Sequence, residues 1–177
     1  MRILNAVPGS VLWLYEANAV AADNLRKQAQ LRGVAASRLV FAKFMDHEQH
    51  LARYRAADLF IDTFPYNAHT TSSDALWAGL PVLTLCGRSF ASRVGASLLH
   101  AVGLPELIAG TQQQYEDKAI ELASHPALLD SIRERLSINR QSAAVFNGRQ
   151  FAKDVESAYL AMHERHCAGL APEVIVV

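Results

Sequence analysis

The chain has 177 residues, 51% of them hydrophobic, with 17 lysines and arginines balanced by 17 aspartates and glutamates. That length and composition supply one sizeable core and predict a single domain, 1–177, while the lack of any clustered positive run argues against a sequence-independent grip on nucleic acid. No apolar run approaches the roughly 20 residues of a membrane-spanning helix, Met1–Asn5 has no secretory character, and Cys86 and Cys167 lie far apart without metal spacing; a soluble cytoplasmic protein with no membrane partner is expected.

Met1 to Val7 reads as the last turn or two of a helix, before the turn Pro8-Gly9-Ser10. A doubly wound half-domain normally opens on a strand, so a fragment truncated at its N-terminus is expected. Val11–Tyr15 is a β-prone apolar run, Ala21–Arg32 a helix closed by Gly33, and Arg38–Ala42 a second strand. Asp46–Ala56 follows as a helix, Leu59–Thr63 as a strand, and Ser72–Ala78 as a helix ended by Gly79 and Pro81. Val82–Leu85 is a fourth strand, and a helix runs from about Ala91 to Val102. Continuous apolar strands joined through helices predict an α/β fold, a Rossmann-like parallel sheet with helices on both faces. Beyond Gly103 only helices are predicted, over Tyr115–Ser124, Ala127–Asn139 and Gly148 to about Cys167, so that 104–170 forms a helical C-terminal extension. The tail Ala171–Val177 is expected to fray.

Asn67–Ala78, Asn-Ala-His-Thr-Thr-Ser-Ser-Asp-Ala-Leu-Trp-Ala, carries the most chemistry. It joins a buried strand to a helix start, where unpartnered N–H groups and the positive end of the helix dipole favour an anion such as phosphate. The amides of Thr70, Thr71 and Ser72 are candidates for phosphate oxygens, His69 adds a ring donor, and Asp74 is suited to a ribose. Thr71 to Asp74 also reads as a capping box, with Thr71 as N-cap and Asp74 facing back to it. His50 and Arg53, three residues apart on one helix face, suit a base or ribose edge, and His47 joins that face one turn earlier. In the loop Cys86–Arg93, Gly87 permits a sharp turn and Ser89 or Ser92 can cap the next helix; Arg88 or Arg93 could reach a phosphate, though a solvent-facing or salt-bridging role is favoured for each, and Cys86 reads as a buried strand-end thiol. His163, His166 and Cys167 lack a fourth ligand and read as surface residues. No P-loop motif and no Gly-x-Gly-x-x-Gly are present. Nor is there an aspartate pair for a metal-held nucleotide sugar.

Leu59–Thr63, Asn67–Pro81 and Ala91–Ser97, with Val11–Leu14, Glu106–Ala109, Tyr115–Asp117 and Phe146-Asn147, resemble the catalytic C-terminal part of the protein O-GlcNAc transferase and SPINDLY-like group, glycosyltransferase family 41. The resemblance covers nearly the whole chain. It implies the nucleotide-binding half of a two-lobed GT-B enzyme, inverting and metal-independent, that uses no cofactor and transfers a sugar from a UDP-sugar, UDP-GlcNAc foremost, to Ser or Thr of proteins. By position, His69, Thr70 and Thr71 would bind the diphosphate and Asp74 the ribose. His50 and Arg53 would face uracil and ribose, with the backbone near Met45 reading the base edge. His47 stands where animal members carry a lysine, and Tyr66 replaces a cysteine near the donor sugar.

The family's catalytic lysine, its neighbouring glutamine, the acceptor lobe and the helical repeats that hold protein substrates all lie upstream of the matching segment. No residue here takes a catalytic role, and the chain alone is expected to bind UDP weakly and to transfer no sugar. A SPINDLY-type fucosyltransferase using GDP-fucose and a non-catalytic Rossmann-like interaction domain are the alternatives. The glutamate-rich signature of other GT-B enzymes is absent.

Overall fold

The fold was taken from a computed structural model, which describes residues 1–176. Helix α1 (Arg2–Ala6) leads through a turn into β1 (Leu12–Tyr15); α2 (Ala19–Gln30), β2 (Leu39–Ala42), α3 (His47–Arg53) and β3 (Phe60–Ile61) follow. Then come α4 (Thr70–Trp77), β4 (Val82–Leu85), α5 (Val94–Ala101) and β5 (Ile108–Ala109), before α6 (Gln112–Ser124), α7 (Pro126–Asn139) and α8 (Gly148–Cys167). All strand pairs are parallel, as the continuous apolar runs predicted. The strands form two sheets, of order β1-β2 and β3-β4-β5.

Alternation along β4 sends its side chains into two different cores. Val82 points to a cluster with Ala75 and Leu76 of α4, Leu99 of α5, and Ile132 and Leu136 of α7. Leu83 points the other way, to Ala109, Tyr115 and Ala119, with Ile3, Ile61 and Leu85 at the margin. The smaller sheet packs Leu39 against Leu4, Ala29 and Val34. Helices therefore cover both faces of the β3-β4-β5 sheet. Val34 N–H closes α2 on the Ala29 carbonyl at 2.9 Å, across Gly33 at φ 75°, a conformation that favours glycine.

Three expectations need correction. The region after Gly103 is not purely helical, because Ile108-Ala109 pairs with Thr84-Leu85 as β5. Two residues are too few to show a sequence periodicity. The Ala91–Val102 helix is a 3₁₀ turn, Phe90–Ser92, followed by α5. The tail is also tethered: Arg165 donates from Nε to the Ala171 carbonyl (2.6 Å) and from Nη1 to Glu173 Oε1 (2.5 Å). Val177, the last residue of that tail, lies outside the described residues.

Candidate nucleotide-binding site

The site is built on a buried carboxylate at the end of β3. Asp62, 1% exposed, accepts the Ala68 N–H through Oδ1 and the Thr84 hydroxyl through Oδ2, each at 2.7 Å, and its carbonyl accepts the Tyr115 hydroxyl at 2.7 Å. Burial pushes the Asp62 carboxyl above its ordinary value, while the Ala68 and Thr84 bonds pull the other way. Tyr115 is pushed up as well, by burial and then by the charge of Asp62. Asn67 is fully buried; its side chain donates to the Thr63 carbonyl at 2.8 Å, and its N–H to the Ala91 carbonyl at 2.8 Å. Thr63 Oγ1 in turn donates to the Tyr66 carbonyl at 2.8 Å. These bonds set the path of residues 63–68 and hence where α4 begins.

α4 starts at Thr70 with His69 as N-cap, and no side chain caps it. The capping box expected from Thr71 to Asp74 is not formed, because the helix opens two residues earlier than the box requires and places Asp74 in its second turn. The first backbone bond into the helix runs from Ser73 N–H to the His69 carbonyl, so the amides of Thr70, Thr71 and Ser72 remain the open donors of the first turn. Thr70 and Thr71 are exposed and His69 is half-buried. Ser72 is fully buried, and its Oγ, like Asn67 Oδ1, has no partner among the described residues.

The His69 ring is held from two sides. Tyr66 stacks on it with centroids 5.1 Å apart and planes 20° from parallel, and Phe90 meets it edge-on at 5.9 Å. Its Nε2 lies 3.4 Å from the Ala91 carbonyl oxygen. Both Phe90 and Ala91 belong to the loop after β4, where Ser92 Oγ accepts the Ser89 N–H at 3.0 Å. The serines cap a 3₁₀ turn there rather than α5. Arg88 and Arg93 are exposed, as expected. Cys86 is half-buried at the wall of a cleft of about 340 Å³, shared with Phe64, Leu85, Gly110 and Thr111 at the carboxyl ends of β3, β4 and β5.

α3 brings the second group of residues to the first turn of α4. His50 Nε2 sits 3.1 Å from the Tyr54 hydroxyl, which reaches towards the Thr71 carbonyl at 3.5 Å. Burial, then the neighbouring Arg53 charge, holds His50 below the ordinary imidazole value, and Asp74 pulls in the opposite direction. Burial and then Asp74 push Tyr54 up. His50, Tyr54 and Asp74 thus share one electrostatic neighbourhood. Arg53 donates to the Lys43 carbonyl at 3.1 Å and lies 5.8 Å above the Trp13 ring, tying the loop that carries Met45 to α3. Met45 and His47 are exposed beside it.

Thr71, in the first turn of α4, is therefore linked to His50 through Tyr54, a residue absent from the candidates read in the sequence. Asp62, Asn67 and Thr84 were likewise missed. The signal of Asp62 and Thr84 was a polar residue closing or interrupting an apolar strand run; Asn67 opened the Asn67–Ala78 run without being given a role of its own. On α8, Cys167 Sγ lies 3.6 Å from His163 Nε2 at the exposed surface. Among the described residues, no group of three or more His, Cys, Asp or Glu side chains is placed to hold a metal, and no helix is long and apolar enough to cross a membrane.

The chain is 36% identical over 170 residues to a Caenorhabditis elegans UDP-N-acetylglucosamine--peptide N-acetylglucosaminyltransferase, a match covering 96% of this chain and 15% of that protein. It is 34% identical to the probable Arabidopsis thaliana enzyme of the same name, SEC, and 34% identical to a barley protein of that name, SPINDLY, each covering 97% of this chain and 18% of the relative. A solved Thermobaculum terrenum O-GlcNAc transferase mutant superposes with a TM-score of 0.90 at 36% identity, over 96% of this chain and 33% of that one. The chain thus spans less than a fifth of the length of these three curated relatives. With residues 1–155 matching the description "Glycosyl transferase family 41", this chain belongs to that family.

Proposed function

We propose that this chain is the donor-binding lobe of a protein O-glycosyltransferase, taking a UDP-sugar, with UDP-GlcNAc the leading donor, for inverting transfer to Ser or Thr of an acceptor protein. The observation that carries the reading is the uncapped start of α4 at His69, where the amides of Thr70, Thr71 and Ser72 have no backbone partner and Thr70 and Thr71 are exposed. Backbone donors and a helix dipole preorganised around a leaving diphosphate stabilise the charge that grows there as the glycosidic bond breaks. That chemistry requires no divalent cation.

Asp74 takes the ribose hydroxyls, with Tyr54 and His50 alongside. Arg53, His47 and the backbone at Met45 face the base. The stacked Tyr66 limits the space available to the donor sugar next to His69. No residue of the chain is assigned as catalytic; the acceptor protein and the reacting lysine are served by polypeptide outside this segment.

Calorimetry of the 177-residue chain with UDP, UDP-GlcNAc and GDP tests the reading. Weak UDP binding is expected, lost by about 10- to 100-fold in His69→Ala, the scale of one charge-assisted hydrogen bond of about 1.5–3 kcal/mol. A clear preference for GDP would transfer the reading to a SPINDLY-type GDP-fucose enzyme. UDP affinity unchanged in His69→Ala would favour a non-catalytic interaction domain. Sugar transfer to a peptide by this chain alone would overturn the assignment of the reacting groups to other polypeptide.

A further inference from the structure

A backbone carbonyl decides which nitrogen of His69 carries a proton. The Ala91 oxygen accepts the Asn67 N–H at 2.8 Å and has one lone pair left for His69 Nε2, 3.4 Å away. A carbonyl cannot donate, so Nε2 meets it as N–H; a bare Nε2 would set two lone pairs against each other. The oxygen is held in place. Asn67 is fully buried, and the residue after Ala91 is tied down twice: Ser92 Oγ donates to the Ser89 carbonyl at 3.0 Å, and the Ser92 carbonyl accepts the Gly87 N–H at 2.8 Å. Neutral His69 is therefore the Nε2–H tautomer, and its Nδ1 holds a lone pair.

Nδ1 is bonded to the ring carbon that joins the side chain, which makes it the nitrogen nearer the main chain at the residue where α4 starts. It caps nothing there, since no side chain accepts a first-turn amide of α4. With a lone pair at Nδ1, the ring repels the oxygens of an anion held by the Thr70, Thr71 and Ser72 amides. The imidazolium reverses this, because both of its nitrogens donate.

The surroundings can carry that charge. Tyr66 stacks on the ring with centroids 5.1 Å apart, within the range of a cation–π contact. The Asp62 carboxyl is pushed up by burial and pulled down by its Ala68, Thr84 and Thr63 hydrogen bonds; the charge of His69 lowers it further, so carboxylate and imidazolium attract. Phe90, edge-on at 5.9 Å, brings no charge. The other titratable or charged groups on the elements around the ring are Asp74 on α4, His47, His50, Arg53 and Tyr54 around α3, Tyr115 on α6, and Cys86, Arg88 and Arg93 after β4. Asp74 draws in the same direction as Asp62, and the arginines in the other.

We infer that His69 receives the donor diphosphate as an imidazolium: Nε2–H stays on the Ala91 carbonyl, Nδ1–H goes to a phosphate oxygen, and binding takes up one proton from solvent. The inference deepens the UDP-sugar reading proposed above and rests on it. Ala91 acts as a positioning residue, through its main chain alone.

UDP-GlcNAc is the probe, because its diphosphate lacks the terminal phosphate of UDP, whose last proton leaves at a pKa of about 6. Binding to the 177-residue chain at pH 8 is measured by calorimetry in HEPES and in Tris, buffers whose own protonation heats differ. The heats are expected to differ by the amount for up to about one proton taken up, and affinity to fall with rising pH by up to about tenfold per unit. Nitrogen NMR of the ring, assigned through its stack on Tyr66, is expected to show Nε2–H alone at pH 8 and both nitrogens protonated once UDP-GlcNAc is bound. His69→Gln donates without titrating. Its deficit in affinity is expected to shrink from about tenfold at pH 6.5 to about twofold at pH 8.5. Should that variant fold poorly, the NMR of the unmodified chain decides. An Nδ1–H tautomer in the free chain, a neutral ring in the complex, or equal heats in both buffers overturns the inference and leaves the donor reading standing. No binding of UDP-GlcNAc at any pH overturns that reading, and the inference falls with it.

Discussion

The Tyr54 hydroxyl stands 3.1 Å from His50 Nε2 and is the contact by which α3 reaches the first turn of α4. Its ring packs on Phe60 with centroids 6.4 Å apart, so hydroxyl and ring have separable roles. Tyr54→Phe keeps the packing and removes the link. UDP affinity is expected to fall about fivefold, near 1 kcal/mol for one net hydrogen bond, with little change in melting temperature. Calorimetry and a thermal melt of the same sample check both halves.

His50 gives this neighbourhood a pH dependence. Its folded pKa is lowered, first by burial and then by Arg53, so the unfolded chain takes up the proton more readily. Stability from this residue is therefore present above the ordinary value of 6.5 and declines as pH falls from there towards the lower folded value. Urea midpoints at pH 7.5 and 5.5 should differ more for the unmodified chain than for His50→Gln.

Asp62 titrates with the opposite sign. Burial raises its folded pKa, so the folded state holds the proton more tightly, and its stabilising share is complete below the ordinary value of 3.8 and lost as pH rises through the raised one. Asp62→Asn can still accept from Ala68, and is expected to fold and to show a flatter pH dependence. Asp62→Ala strands the Ala68 N–H and the Thr84 hydroxyl, at a cost of about 2–4 kcal/mol in urea unfolding.

Gly95 is the residue of α5 that lets the helix approach this carboxylate. A Cβ there would meet Thr84 Oγ1 at 2.7 Å and Asp62 Oδ2 at 2.8 Å. Alanine normally favours a helix, but Gly95→Ala is expected to destabilise by about 1–3 kcal/mol through overpacking, read as a lower urea midpoint. UDP affinity should fall with it, because Asp62 accepts the N–H of Ala68, next to His69.

Glu116 anchors α1 through Arg2, whose hydrogen bonds pull its carboxyl down to about 2. The tether therefore persists above the ordinary 4.5 and is lost as pH falls towards 2. Arg2 is largely exposed, so Glu116→Gln is expected to leave the urea midpoint of the whole chain nearly unchanged. Its clearer effect is faster amide exchange in α1, measurable at pH 7.

The periodic parts of the chain were legible. Val82–Leu85 and Gly148–Cys167 begin and end where their patterns place them, because a buried strand and a long helix each repeat a local rule. The Asn67–Ala78 run, by its composition and its place after an apolar strand, pointed to a helix start with unpartnered amides, and α4 begins there without a side-chain cap. The start of α4 was misplaced because Thr71 to Asp74 fits a capping box locally, while the bonds of Asp62 and Asn67 bring the chain to its helix turn at His69.

The sequence alone specified most of the elements, their parallel α/β arrangement and the family, since each depends on short-range periodicity or on runs of identical residues, but not the two-residue β5 or the start of α4. Only the tertiary structure decided that Tyr54 joins His50 to α4, that Asp62, Thr84 and Gly95 form the support beneath the site, and that the Ala91 carbonyl meets the His69 ring. Those relationships bring together residues 69 and 91, or 62 and 84 and 95, and no local pattern records a distance that packing and hydrogen bonding alone close.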